Sequence, residues 1–451
     1  MNKTIKLGAG AGFSGDRIDP AQQLVEHADL DYLIFECLGE RTVAAGELRR
    51  RSDKDSGFDP LLEARMRACL PGALEHGTRI ITNAGAANPR AAAALVFKVA
   101  QDLKLPRAIT IAVIEGDSVL PQVVHTNPLI WETNSSVSDS DGDPVSAHAY
   151  VGIEALLPAL ASGADVIIAG RVADPSLYLA PMVHEFGWSV DDYHLLGAGT
   201  AIGHLLECAG QLTGGYYADP IKKPVPNMAG LGFPYAEVAE DGTAVFKKLQ
   251  SAGGILTVQT CTEQLLYEVS DPSAYITPDV VADFSNIQLT QVAAESVAIR
   301  GGTGHPRTET LKVTLGYQSG WMGEGQISYS GPRAFERAQL AAEIVVERLV
   351  QIHKIPQDVL NVELIGAGSA FRGLSAFPAD PLEIRVRVAG IVESQERAAK
   401  IGWEVESLYT NGPAAGGGAR QYTKELLSIR SALLPRDLVS LSTEILEVPT
   451  S

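Results

Sequence analysis

Five apolar runs, each followed by a helical pattern, constrain this chain more than any other feature of its sequence. They occupy residues 4–7, 31–35 (DYLIF), 79–82 (RIIT), 108–114 (AITIAVI) and 165–169 (DVIIA). Their apolar character is continuous rather than alternating, which means burial on both faces, as in parallel strands covered by helices. Asp19-Pro20, Asn88-Pro89 and Asp174-Pro175 each place a capping residue type beside a proline suited to a first helical turn. A closed barrel of eight such units would show the same beginning. The strand–helix rhythm fails after about residue 210, so an open Rossmann-like, mostly parallel sheet is the preferred fold.

The C-terminal third has a different order. Strand patterns at 325–330, 360–365, 382–389 and 439–448 alternate with helical patterns at 334–352 and 394–408. This is β-α-β-β-α-β, the ferredoxin-like arrangement of an α+β domain. The reading is a large α/β domain over 1–315 and a ferredoxin-like domain over 316–451, with no internal repeat. At roughly 150 residues per domain, a chain of 451 residues accommodates both.

Charge narrows the partners. The formal net charge of −18 repels a phosphate backbone, so nucleic acid is not an expected partner. Cys37, Cys69, Cys208 and Cys261 are far apart, with no CxxC, so neither a disulfide framework nor a structural zinc site is expected. The short glycine-rich stretch 7–13 runs into Asp16-Arg17 and makes no secretory signal core, and no apolar run of about 18 residues occurs. The expectation is a cytoplasmic protein with no membrane contact.

Polar and glycine residues gather where the parallel strands should end, the edge at which open α/β sheets bind ligands. Gly10-Ala-Gly12-Phe-Ser-Gly15 matches GxGxxG, and Glu36 lies at the end of the second strand, as a ribose-binding acid would. Asp16-Arg17 and the late helix start at Asp19 argue against a pyrophosphate, leaving a carboxylate or other anion site, a plain packing turn, or NAD(P). Gly8, Gly10, Gly12, Asp16, Arg17, Glu36, Asn83, Gly85 and Asn88 are therefore the expected ligand-binding residues of this edge. Gly170-Arg171 follows the fifth run; the guanidinium fork of Arg171 suits a carboxylate or phosphate, or else a salt bridge within its own loop. Asp174 is either catalytic or a helix cap.

The densest polar cluster is 203–216. On a helix, His204, Glu207, Cys208 and Gln211 fall within an arc of about 100°. Imidazole, carboxylate and thiol on one stripe supply an acid–base pair, a nucleophile or metal ligands, although HExxH is absent and no metal is assigned. Arg300, His305 and Arg307 crowd a glycine loop that reads either as an anion clamp or as a linker between domains. The glycine-rich stretch 411–420 reads as a mobile lid or a subunit contact. There is neither a GxSxG elbow nor a GxxxxGK[ST] loop.

The chain resembles the acyclic terpene utilisation AtuA family. The stretches that carry the likeness are GAGAGFSGDR (8–17), DYLIFECLGERTVA (31–44), ITNAGAANPRA (81–91), GADVIIAGRVADPSL (163–177), GHLLECAGQLTGG (203–215), YITPDVVADFS (275–285) and TNGPAAGGGA (410–419). Gly39 stands where members usually carry alanine. The resemblance implies catabolism of branched acids or their CoA esters, and a small partner subunit of about a hundred residues. It also agrees with a large N-terminal domain followed by a ferredoxin-like one.

The expected function is a lyase or hydratase acting on a branched or dicarboxylic acid or its CoA ester, in a chain expected to be a homo-oligomer. In that scheme Arg171 holds the substrate carboxylate, His204 or Glu207 moves the proton α to the carbonyl, and Asn83 or the 8–12 glycines stabilise the oxyanion. The alternatives are a non-catalytic subunit or scaffold for a partner enzyme, and an NAD(P)-dependent oxidoreductase. The sequence identifies no cofactor.

Overall fold

β1 (Thr4–Ala11) is longer than its apolar run, because Gly8 and Gly10 are extended, covered residues inside it rather than members of a turn. A Cβ on Gly10 would stand 2.7 Å from the Phe35 ring, and one on Gly8 would stand 2.4 Å from Leu30. Both glycines therefore serve close packing against the neighbouring strand, which corrects their assignment as ligand-binding residues. The GxGxxG match loses its phosphate geometry for the same reason, since its first glycine lies within a strand. The computed structural model describes residues 3–449 apart from 141, 373 and 375.

From β1 the chain passes through α1 (Asp19–His27), β2 (Tyr32–Phe35), α2 (Glu40–Ser52), α3 (Leu62–His76), β3 (Arg79–Thr82) and α4 (Pro89–Asp102). It continues through β4 (Ile109–Glu115), α5 (Leu120–Thr126), β5 (Pro144–Ala149), α6 (Ile153–Ala161), β6 (Val166–Ile168), α7 (Asp174–Phe186) and α8 (Tyr193–Glu207). β1, β2, β3, β6 and β4 are parallel neighbours in that order. Ile34, Ile81, Ile111 and Ile167 are fully buried, as continuous apolar strands require.

The sheet does not stay parallel. β7 (Pro234–Ala239) and β8 (Ala244–Lys248) form a hairpin across Asp241-Gly242, with β7 antiparallel to β1. After β9 (Tyr275–Ile276) and β10 (Val281–Asp283) come β11 (Gln288–Ala293), β12 (Ser296–Arg300) and β13 (Thr303–His305). β12 and β11 extend the sheet beyond β8, and β18 (Ser442–Val448) closes its other side antiparallel to β4. The protein is thus mixed α/β, with ten strands in this sheet among the described residues. The expectation of a mostly parallel sheet is corrected for a physical reason. β7 and β8 alternate buried and half-buried residues, the pattern of strands covered on one face, and such strands pair antiparallel.

The chain divides into two compact units, residues 1–316 with 429–451 and residues 317–428. The second contains most of β14 (Thr310–Ser330), then α10 (Ala334–Gln351), β15 (Leu360–Ile365), β16 (Glu383–Val392), α11 (Gln395–Glu406), α12 (Leu408–Asn411) and most of β17 (Gly416–Pro435). Its sheet order is β15-β16-β14-β17, with a core of Val386, Val345, Ala341, Ile401 and their neighbours. Two expectations change here. The strand near 439–448 belongs to the large sheet, and the fourth strand of the small sheet is β17, whose first residues read in sequence as a mobile lid or a subunit contact.

Candidate functional site

Three strand ends and one helix end converge in the larger unit. Gly12 follows β1, and a Cβ there would lie 2.5 Å from the Cys208 backbone, so only glycine lets the strand end meet the end of α8. Gly203 does the same further back, where a Cβ would stand 2.7 Å from the Pro175 carbonyl oxygen. α8 thereby presses on the start of α7 and brings Glu207 into the neighbourhood of Asp174. The helix stops at Glu207, and Ala209 adopts a left-handed φ of 41°. Cys208 and Gln211 are therefore outside the helix, which corrects the single helical stripe drawn from the sequence. Glu207, Cys208 and Gln211 still line one cleft of about 600 Å³, together with Gly12, Asp16, Arg17, Glu36 and Asp174.

The acids of this cleft are held in distinct ways. His204 Nδ1 and Glu207 Oε1 are 2.8 Å apart, and the imidazole packs against both Tyr275 and Phe284, at ring distances of 5.0 and 5.6 Å, which also touch each other. Burial lifts the Glu207 carboxyl to about 7 against the pull of His204. His204 is itself raised, because Glu207 and the Leu265 carbonyl outweigh its burial, so the pair keeps a proton at neutral pH. The second oxygen, Oε2, is buried without a hydrogen-bond partner. Glu36 accepts from the Leu38 N–H at 2.7 Å and the Asn83 amide at 3.0 Å. Burial, reinforced by the nearby Asp174, raises it to about 8. Burial also raises Asp174, against the opposing pull of Arg171.

A second lobe of about 770 Å³ adjoins the first, and Asp174 and Glu268 line both. Its walls include Trp131, Tyr150, Tyr275, Leu311 and Leu433. Tyr150 marks the junction of several charges: its hydroxyl donates to Glu40 at 2.5 Å, and Lys312 reaches the same carboxylate oxygen at 2.9 Å. These bonds overcome burial and hold Glu40 down to about 2, a permanent anion. The Arg171 guanidinium lies 4.2 Å from the centre of the Tyr150 ring. It is fully buried and bonded to Asp174, while its Nε and Nη1 have no hydrogen-bond partner. One arm of its fork, Nη2, is therefore spent on Asp174, and the residue lines neither lobe.

The remaining sequence candidates separate clearly. Asn83 is buried and bridges Glu36 to the Cys37 N–H, so it orients an acid. Gly12 is the one glycine of the run that lines the cleft, and its N–H is engaged by Asp16 at 2.9 Å. Gly85 packs its turn against the Ala169 carbonyl, and Asn88 caps α4 while holding the Lys54 and Ser56 carbonyls. Arg17 lines the cleft but donates to the Met228 and Ala229 carbonyls, both at 3.1 Å. Arg300 bonds Gln288 on the antiparallel side of the sheet, and neither it, His305 nor Arg307 lines either lobe. The turn around Gly301-Gly302 lies within the larger unit, between β12 and β13, so it is not a linker. Burial and the adjacent Glu207 push the Cys208 thiol well up, so it is neutral at ordinary pH.

Sequence reasoning missed Glu40, Tyr150, Glu268 and Lys312. Glu40 had a signal, since it opens α2 only four residues after Glu36; the others come from segments with no motif. Among the described residues, no group of three or more His, Cys, Asp or Glu side chains is arranged to hold a metal ion. No helix among them is long and apolar enough to cross a membrane. No curated protein and no solved structure matches the chain. A family model described as acyclic terpene utilisation family protein AtuA matches residues 5–445, and the chain belongs to that family.

Proposed function

We propose that the chain is a proton-transfer enzyme of the lyase or hydratase type, acting on a branched acyclic acid presented as its CoA ester. The observation that carries this reading is Glu207: one oxygen is tied to His204 and the other is unpartnered at the wall of the cleft. A carboxyl that titrates near neutrality both takes and returns a proton, as a reaction next to a carbonyl demands. Glu36, neutral at pH 7, donates a hydrogen bond to the thioester carbonyl or protonates a departing hydroxyl. Arg171 is fully buried, lines neither lobe and bonds Asp174, which favours the ester over the free acid. On the side of fold, we read the parallel run from β1 to β4 as Rossmann-like and the order β17-β14-β16-β15 as ferredoxin-like.

A thermal-shift panel of branched acyl-CoA esters, free acids and dinucleotides tests the reading. A rise in melting temperature with the CoA esters supports it; a rise with NAD(P) alone returns the oxidoreductase alternative. A second reading, a non-catalytic subunit for a small partner, is favoured by Tyr216 and Ile221, which are 86% and 89% exposed. Absence of any ligand shift, with turnover appearing only on addition of a partner chain, selects it.

A further inference from the structure

The cleft is unevenly charged even after its internal pairs are subtracted. Glu40 is matched by Lys312 and Asp174 by Arg171. Among the described residues, Asp16, Glu207 and Glu268 form no ion pair with a lysine or arginine, Glu207 meeting only His204, while burial keeps Glu36 protonated. Arg17, the one guanidinium of the lining, is directed onto two backbone carbonyls. Glu207 is more than nine-tenths buried, and its Oε2 lacks any hydrogen-bond partner. A buried acceptor in that state is costly unless a donor arrives from the cleft.

The rest of the lining narrows what that donor is. Phe13, Tyr216, Phe233 and Tyr267 place aromatic surface around the acids, with Tyr216 and Tyr267 edge to face at 6.1 Å. Tyr216 and Glu268 both hold left-handed backbone, at φ 60° and 59°, which non-glycine residues adopt only when their surroundings impose it. Carboxylates combined with ring faces recognise an organic cation, which draws on charge and on the aromatic quadrupole together. The carboxylates are spread around the cleft, and no metal-ligand cluster is present among the described residues.

We infer that the acidic lobe receives a positively charged nitrogen of its ligand, an ammonium carried on the acyl group. The inference rests on the reading of this cleft as the substrate site and adds the chemistry of one substituent. Glu207 Oε2 accepts from the ammonium, Asp16 and Glu268 complete its charge, and Tyr216 and Tyr267 cover its apolar side.

Calorimetry and thermal shift with n-butylammonium chloride, sodium butyrate and magnesium chloride, at matched ionic strength, test it. The expected result is binding and a raised melting temperature with n-butylammonium alone. Glu207→Gln weakens that binding at least tenfold, and Tyr216→Ala, at an 86% exposed site, weakens it several-fold without lowering the melting temperature of the free protein. Binding of butyrate in place of n-butylammonium, equal stabilisation by magnesium, or an unchanged affinity in Glu207→Gln overturns the inference. These outcomes are separable from the proposed reaction: if Glu207→Gln loses turnover on a CoA ester while n-butylammonium fails to bind the parent protein, only the ammonium is refuted.

Discussion

Two buried imidazoles in the larger unit meet carboxylates, and they do so differently. His148, in β5, has Nδ1 2.9 Å from Asp117 Oδ2 and Nε2 3.9 Å from Glu47 Oε2 in α2. Burial alone would strip its proton, yet two carboxylates hold it up to about 9, and Glu47 falls below the usual carboxylate range. His204 has one carboxylate, and that one rises to about 7. None of His148, Glu47 and Asp117 lines either lobe, whereas Glu207 does. One imidazole between two acids is a fixed charge that ties α2, β5 and the loop after β4 together. One imidazole with one acid at a cleft wall exchanges its proton.

The sharpest way to break this contrast is to remove the charge from each pair in turn. His148→Gln leaves the buried Asp117 without its cationic partner, Glu47 keeping Arg50 at 3.0 Å, and should destabilise the fold by about 3–5 kcal/mol, read as a fall in melting temperature. Glu207→Gln is nearly isosteric and already close to the neutral form of the native side chain. It should lower turnover roughly 10²-fold or more while changing stability by less than about 1 kcal/mol. A large loss of stability in Glu207→Gln would make the second pair a staple like the first. An unchanged melting temperature in His148→Gln would remove the staple from the first.

The pH dependence of stability separates the two pairs without any substrate. His148 is raised from 6.5 to about 9, so its contribution is complete below pH 6.5 and is lost as pH climbs through 9. That loss is on the order of 3 kcal/mol. Glu207 is raised from 4.5 to about 7, so the fold prefers its protonated form; this contribution is complete below pH 4.5 and disappears as pH rises through 7. Glu36 and Asp279 add slopes of the same sign, ending near 8 and 7. Denaturant melts from pH 4 to 10 should therefore show falling stability in two overlapping windows. Glu207→Gln should flatten part of the acidic window alone, and His148→Gln the alkaline one alone.

The same contrast shows what the sequence disclosed. His204 and Glu207 stand three residues apart on a helix, a spacing that brings side chains together whatever the fold, so their pairing was legible. His148 meets Glu47 across 101 positions, and no local pattern announces it. The parallel strands were readable because burial on both faces leaves an unbroken apolar run. The hairpin at 234–248 carries its own local signal, alternation on either side of Asp241-Gly242, but nothing in that signal says that it adds to the parallel sheet. β17 opens on Gly416-Gly417-Gly418 and shows little periodicity, so its exchange of place with β18 depended on long-range pairing alone. Arg171 shows the limit most clearly. Its residue type promised a substrate clamp, but it is fully buried, Asp174, three positions on, takes one arm of its fork, and Tyr150 lies beside its guanidinium.

The smallest expected effect concerns Cys208, immediately beyond Glu207. A thiol beside a histidine–carboxylate pair invites a nucleophilic role, and the cleft exposes part of it. Its surroundings oppose that role, because burial and the neighbouring acids Glu207, Glu36 and Asp174 all disfavour a thiolate. Gln264, which acts the other way, does not offset them. His204 is oriented toward Glu207 through Nδ1, so the pair is arranged to serve its own proton and not that of the thiol. Cys208→Ser should therefore leave turnover within about twofold of the parent, and stability within about 1 kcal/mol, the range for substitutions that open no cavity. Iodoacetamide should modify the native protein slowly near pH 7, since the reactive species is the thiolate. If Cys208→Ser abolishes turnover, or if the thiol is alkylated rapidly at neutral pH, then His204 and Glu207 activate a nucleophile. The contrast with His148 would then lie in covalent chemistry rather than in a shared proton.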